Sequence, residues 1–174
     1  MKGEPMATVE TTAGAGGKHL TFKLAGEEYG LPIGKVQEII QRQEITRVPR
    51  LPEFVSGVIN LRGKVIPVLN LRRRFGLPAQ TSTGRACIVI LQAPSATGWM
   101  LTGIVVDEVT EVVEIPTERV EPPPELGARV NLAFVAGVAQ VGARLILLLR
   151  TDKVLDSREW AVVEQAAQTE KGAD

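Results

Sequence analysis

The chain has 174 residues, enough for one domain or two very small ones. Lys+Arg and Asp+Glu each total 20, so the formal net charge is zero, which argues against a protein built to coat nucleic acid. Apolar residues make up 44% and aromatics only 4%, so the chain holds enough material for a packed core, built mostly of Val, Leu and Ile. A single Cys (Cys87) and a single His (His19) exclude a disulfide framework and a Cys/His zinc site.

No stretch reaches the roughly 20 apolar residues of a membrane helix. The N-terminus has no apolar run of a secretory signal, and Lys2 stands where myristoylation needs glycine. These features predict a soluble, cytoplasmic protein. Residues 1–17 are rich in Thr, Gly, Ala and Glu and read as a disordered tail. Gly14-Ala15-Gly16-Gly17-Lys18 is no phosphate loop: Thr12 and His19 stand where the pattern needs Gly and Ser/Thr, and no strand precedes it.

From His19 onward the apolar period is two. Leu20, Phe22 and Leu24 alternate with polar neighbours, Gly26 marks a turn, and Tyr29, Leu31 and Ile33 alternate again. This predicts a hairpin. Further strands are expected over 38–40, 58–61, 65–69, 85–91, 99–106, 111–115, 135–138 and 145–149. Residues 71–75, 117–120 and about 152–168 read as helical. The last helix is capped by Thr151 or Asp152, and its stripe of Val154, Leu155, Trp160, Val162 and Val163 suits it to cover a barrel edge. Many short, closely spaced strands indicate a sandwich or barrels.

The chain also repeats itself. Gly30, Val36, Glu38 and Pro49 return 73 positions later as Gly103, Val109, Glu111 and Pro122. Phe54-Val55-Ser56-Gly57-Val58 returns 80 positions later as Phe134-Val135-Ala136-Gly137-Val138, and Ile66 and Leu69 return as Ile146 and Leu149. The repeat implies two related β units, over about 19–80 and 85–150. Units this small need to pack on each other, and the groove between them is a natural binding place.

No catalytic constellation is present. His19 falls on the polar side of its strand and reads as a surface residue. Cys87 reads as a small core hydrophobe without an activating base. Asp107, Glu108 and Glu111 read as a solvated face or loop edge. Arg72-Arg73-Arg74 reads as the solvated face of a helix, since no aromatic stacking platform adjoins it. Arg62 differs. Arg62-Gly63 must be the tip of a tight hairpin between strands over 58–61 and 64–68, and the repeat lacks the arginine, with Val141-Gly142-Ala143 at the matching tip. A forked guanidinium on a stiff tip is suited to gripping carboxylates and backbone oxygens of a partner.

The runs 27–33, 36–40, 45–49 and 52–68, with 103–109 and 134–138, resemble the CheW family of chemotaxis coupling proteins in the same order, over about residues 19–160. The resemblance implies a mainly β fold of two SH3-like five-stranded barrels packed on each other, a CheW-like domain over 18–160, and the C-terminal helix, followed by a disordered tail over 169–174. It implies a non-catalytic adaptor without metal or cofactor. Its implied partners are the regulatory domain of the histidine kinase CheA and the cytoplasmic tips of methyl-accepting chemoreceptors. No nucleic acid and no membrane insertion are implied, and the expected place is the cytoplasmic face of the membrane, held through receptor arrays. Carried over by position, the receptor-binding residues are Val36, Glu38, Gly57 and Arg62, with Asn60, Leu61 and Gly63 around them. Arg119 and Glu121 fall on a kinase-facing segment. Asn70 stands where the family usually has Asp, and Leu149-Arg150 where it often has Leu-Asp, so a changed surface charge is expected without a change of fold. The alternatives are a coupling protein of a related non-motility pathway and a nucleic-acid-binding barrel using Arg72–Arg74.

Overall fold

Strand-forming, β-branched segments divided by Gly, Pro and charged turns produce eleven short strands among the described residues. The computed structural model describes residues 16–49, 51–77, 84–95, 98–123, 132–151 and 153. The tail 1–17 up to residue 15, the helix 152–168 apart from Lys153, and the tail 169–174 lie outside the described residues. The strands are β1 (Gly17–Leu24), β2 (Glu27–Pro32), β3 (Val36–Gln41), β4 (Val55–Leu61), β5 (Lys64–Asn70), β6 (Cys87–Ser95), β7 (Gly98–Val106), β8 (Glu108–Ile115), β9 (Val120–Glu121), β10 (Val135–Val141) and β11 (Arg144–Leu149). One helical turn, α1 (Leu71–Arg74), follows β5, and 3-10 turns occupy Ile33–Lys35, Thr117–Arg119 and Leu132–Phe134. The helix expected over 117–120 is therefore a 3-10 turn leading into β9.

The strands form two sheets, in the orders β8-β1-β2-β11-β10-β9 and β3-β6-β7-β5-β4. In the first, the end strands β8 and β9 are one run of chain interrupted at Pro116, which has no N–H for a ladder, so the sheet closes into a barrel of five effective strands. In the second, Thr46 bridges back to Val58 of β4 and closes the ring. The fold is the expected pair of barrels.

The expected division into contiguous units over 19–80 and 85–150 does not describe these barrels. The β1–β2 hairpin belongs with β8–β11, and the β6–β7 hairpin belongs with β3–β5. The two repeats exchange their first hairpins. Parallel pairings make the exchange: β2 lies along β11 with Gly30 opposite Leu148, and β7 lies along β5 with Gly103 opposite Val68. These four residues are repeat mates, so the two barrels are related by an approximate two-fold. A Cβ at Gly30 would lie 3.0 Å from Leu148 Cδ2 of β11, and one at Gly103 would lie 3.4 Å from Val68 Cγ2 of β5. Glycine at both positions lets the exchanged strand pack closely. The sequence repeat is the same whether a hairpin pairs with its own unit or the other, so repetition alone cannot reveal the exchange.

Three apolar clusters result. Ile59, Ile66, Val68, Ile88 and Ile90 fill one barrel, and Ile115, Val120, Ala139, Ile146 and Leu148 fill the other. The largest lies between them and takes residues from both, including Leu20, Phe22, Leu24, Tyr29, Val55, Phe75, Val89 and Phe134. Along it runs an aromatic chain, Phe22–Tyr29–Phe75–Phe134, with ring centroids 5.8, 5.7 and 5.1 Å apart.

This layering corrects the reading of His19, which is only 1% exposed. Both faces of β1 are covered: one meets the shared cluster, and the other turns toward Ile146 and Leu148 of the second barrel's own cluster. Leu20, Phe22 and Leu24 point to the shared cluster, while His19 and Thr21 lie on the other, equally buried face. Its Nδ1 lies 2.9 Å from the Gly17 carbonyl, and burial lowers its pKa. Cys87 packs partly buried against the shared cluster, where burial pushes its thiol up, in keeping with a core role.

Candidate functional site

The Leu61–Lys64 pairing leaves Arg62-Gly63 as a two-residue loop. Both residues have positive φ, +52° and +88°, the signature of a type I′ turn that matches the twist of the flanking strands. The Asn60 side chain accepts a hydrogen bond from the Gly63 N–H at 2.9 Å and holds the turn closed. Asn60 thus positions the tip. At the matching tip Gly142 takes φ +61°, so the copy uses glycine where this turn holds an arginine in the left-handed region.

The tip reaches across to β3. The Arg62 guanidinium pairs with the Glu38 carboxylate, which raises the arginine pKa further. The pair joins the two end strands of the five-stranded barrel where backbone pairing is confined to the Thr46–Val58 bridge. Arg62 remains 70% exposed while paired, so its guanidinium still faces solvent. Two residues that sequence placed 24 positions apart are thereby brought together. Val36, at the start of β3, packs against the shared cluster between the barrels, whereas Leu61 packs at the mouth of the five-stranded barrel's own cluster. They flank Glu38 and Arg62 without sharing a pocket floor.

Gly57 is buried and serves the backbone. It ends a bulge in which Ser56 is the extra residue, it has φ +149°, and a Cβ there would run into the Thr46 carbonyl. Its repeat mate Gly137 sits in the same bulge, where a Cβ would lie 2.8 Å from the Glu121 carbonyl. Arg119, in the 3-10 turn that leads into β9, and Glu121, in β9 of the six-stranded sheet, are both exposed. The structure therefore places the two groups of candidate residues on different barrels.

Several charged residues read as solvated form ion pairs, of which Arg72–Asp107 is largely withdrawn from water while Arg73, Arg85 and Glu111 stay exposed. Asp107 accepts from Arg72 at 2.6 Å and from the Ala25 N–H at 2.9 Å, with only 12% of the Arg72 side chain exposed. Arg73 pairs with Glu53 at 3.3 Å. The Arg74 guanidinium lies 4.4 Å from the Phe54 ring centroid and 5.0 Å from that of Phe134, the repeat mate of Phe54. These contacts engage Arg72 and Arg74 within the fold, while Arg73 stays 56% exposed. Arg85 pairs with Glu108, and Arg144 binds both Glu28 and Glu111, which lowers the Glu28 pKa. No sequence signal indicates that Glu28 and Arg144 meet, since the pairing needs the parallel β2–β11 contact to form. Asn70 caps α1 by accepting from the Arg73 N–H at 3.2 Å, a task Asp would perform equally.

The junction between barrels is packed tightly where Leu31, Leu71, Leu91, Thr102, Ile104 and Leu149 meet. The space left is about 10 Å³, on the order of a single water, so this stretch offers no ligand groove. A larger depression of about 470 Å³ lies beside Arg47, Val48, Val55, Asn70 and Arg73, at the opposite end of β5 from the Arg62 tip. Among the described residues there is no cluster of three or more His, Cys, Asp or Glu able to hold a metal ion, and no helix long and apolar enough to cross a membrane.

Comparison with known proteins agrees with this architecture. The family model for the CheW-like domain matches residues 18–159. The chemotaxis protein CheW of Klebsiella aerogenes is 34% identical over 166 residues, covering 94% of this chain and 98% of the relative. The protein FrzA of Myxococcus xanthus is 30% identical over 138 residues, covering 78% of this chain and 83% of the relative. The crystal structure of the scaffolding protein TtCheW from Thermoanaerobacter tengcongensis superposes with a TM-score of 0.74 at 35% identity, covering 83% of this chain and 95% of that one. Fold, repeat and matched length converge: the chain belongs to the CheW-like family, the family of the chemotaxis scaffolding proteins it resembles.

Proposed function

We propose that this chain is a non-catalytic adaptor that couples the cytoplasmic tips of chemoreceptors to the regulatory domain of a CheA kinase. Arg62 carries the reading. An arginine is kept in a left-handed turn conformation where the repeat uses glycine, and it faces solvent beside Glu38 on the seam of the five-stranded barrel. A backbone conformation that disfavours an L side chain is retained most readily where the side chain has work to do. Val36, Leu61 and Lys64 supply an apolar and basic surround for a helical receptor segment. The second contact, to the kinase, uses the exposed Arg119–Glu121 surface of the other barrel, so one adaptor holds both partners at once.

The test is titration with a receptor-tip fragment and, separately, with the CheA regulatory domain. Arg62→Ala is expected to weaken receptor binding about tenfold or more, as for an interface anchor, and to leave kinase binding unchanged. Glu121→Lys is expected to do the reverse. Unchanged receptor affinity in Arg62→Ala removes Arg62 from the mechanism, and binding of neither partner by the parent chain overturns the coupling reading. A coupling protein of a related pathway is the second reading, and titration against receptor-tip fragments of each pathway decides between them.

A further inference from the structure

We propose that the Arg72–Asp107 ion pair locks the angle between the two barrels, and that the Ile33–Lys35 turn is the hinge about which that angle changes. Because the hairpins are exchanged, the described strands pass from one barrel to the other at two places. One is Ile33–Lys35, between β2 and β3. The other is Asp107, the single residue between β7 and β8. They are repeat-related, since Gly34 stands 73 positions before Asp107, yet they are built in opposite ways.

The first crossing is loose. None of its three residues is buried, Ile33 is 37% exposed, and the Cβ position at Gly34 meets nothing within 4 Å. The second is clamped from three directions. Its carboxylate takes the Arg72 guanidinium from α1 at 2.6 Å and the Ala25 N–H from the β1–β2 turn at 2.9 Å, and its own N–H donates to the Lys23 carbonyl at 3.0 Å. α1 follows β5 of the five-stranded barrel, whereas Lys23 and Ala25 belong to the hairpin of the other. Arg72 and Asp107 are 12% and 27% exposed, so water screens the pair only in part. The next arginine but one, Arg74, adds a stacking contact to Phe134 at the entry to β10. One short helix thus grips the far barrel at the crossing opposite the hinge. A compliant crossing opposite a charge-pinned one is the arrangement of a hinge and a latch. The inference is independent of which partners the protein binds.

The test is the distance distribution between spin labels on the two barrels of the full-length chain, placed at Gln41→Cys and Glu114→Cys with Cys87→Ser. Both label positions are exposed. The parent is expected to give one narrow distribution. Asp107→Asn and Arg72→Gln are each expected to lose it in favour of a broad one with circular dichroism unchanged. The reversed pair Arg72→Asp with Asp107→Arg is expected to narrow the distribution again only in part, since an arginine at 107 cannot accept from the Ala25 N–H. Arg72→Gln leaves the Asp107 hydrogen bond to Ala25 intact, so it decides the matter if Asp107→Asn does not fold. A narrow, unshifted distribution in folded Arg72→Gln overturns the lock.

Discussion

His19 shows how one residue links the fold to solution behaviour. Burial lowers its pKa below the ordinary value of 6.5, so the folded chain holds it neutral while the unfolded chain binds a proton near pH 6.5. Between these two values the unfolded state carries more protons, and stability therefore rises with pH. The contribution is complete above pH 6.5 and is lost as pH falls through 6.5 toward the folded value. Glu28, held low by Arg144, acts in a separate window, since its stabilisation is lost only as pH falls below about its ordinary 4.5. The expected outcome is a lower urea midpoint at pH 5.5 than at pH 7.5 in the parent, and a smaller difference in His19→Gln. An equal difference in both proteins removes His19 as the cause.

At the scale of single elements, two turns of backbone serve opposite ends. The bulge at Gly57 is structural: φ is +149° and the Thr46 carbonyl occupies the space of a Cβ. Gly57→Ala is expected to destabilise the protein by about 2 kcal/mol or more, as strained substitutions at such sites do, with partner affinity falling only as the folded fraction falls. The 62–63 turn is functional in its side chain and tolerant in its backbone. Arg62→Gly supplies the residue that the repeat itself uses at Gly142, so its melting temperature is expected to match or exceed the parent's. Calorimetry on the two variants separates the roles. A stable Gly57→Ala, or an unstable Arg62→Gly, contradicts this assignment.

For the whole molecule, hairpin exchange governs folding. A fragment of residues 16–84 would carry β1–β2 without β8 and β11, and β3–β5 without β6–β7. Each piece would leave strand edges and half of the shared cluster open, including Phe22, Tyr29 and Phe75. The fragment is expected to be unfolded by amide chemical-shift dispersion, and the full chain to unfold in one transition seen equally from both barrels. A folded, monomeric fragment would show that the contiguous halves are independent units.

Much of the architecture was legible beforehand for local reasons. Period-two apolarity marked the 19–33 hairpin, a Gly between two short strands marked the 62–63 tip, and the 73- and 80-residue offsets marked two similar units. Family membership followed from motif order and was met by a match over residues 18–159. Side-chain alternation, turn chemistry and repetition are properties of neighbouring residues, so the sequence by itself determined them. The tertiary structure alone decided which hairpin joins which barrel. It thereby buried His19, drew Arg72 and Arg74 of the predicted solvated face onto Asp107 and the Phe54 and Phe134 rings, and set Arg62 against Glu38. Those outcomes depend on pairings between residues 20 or more positions apart, and nothing local to either partner distinguishes one such pairing from another.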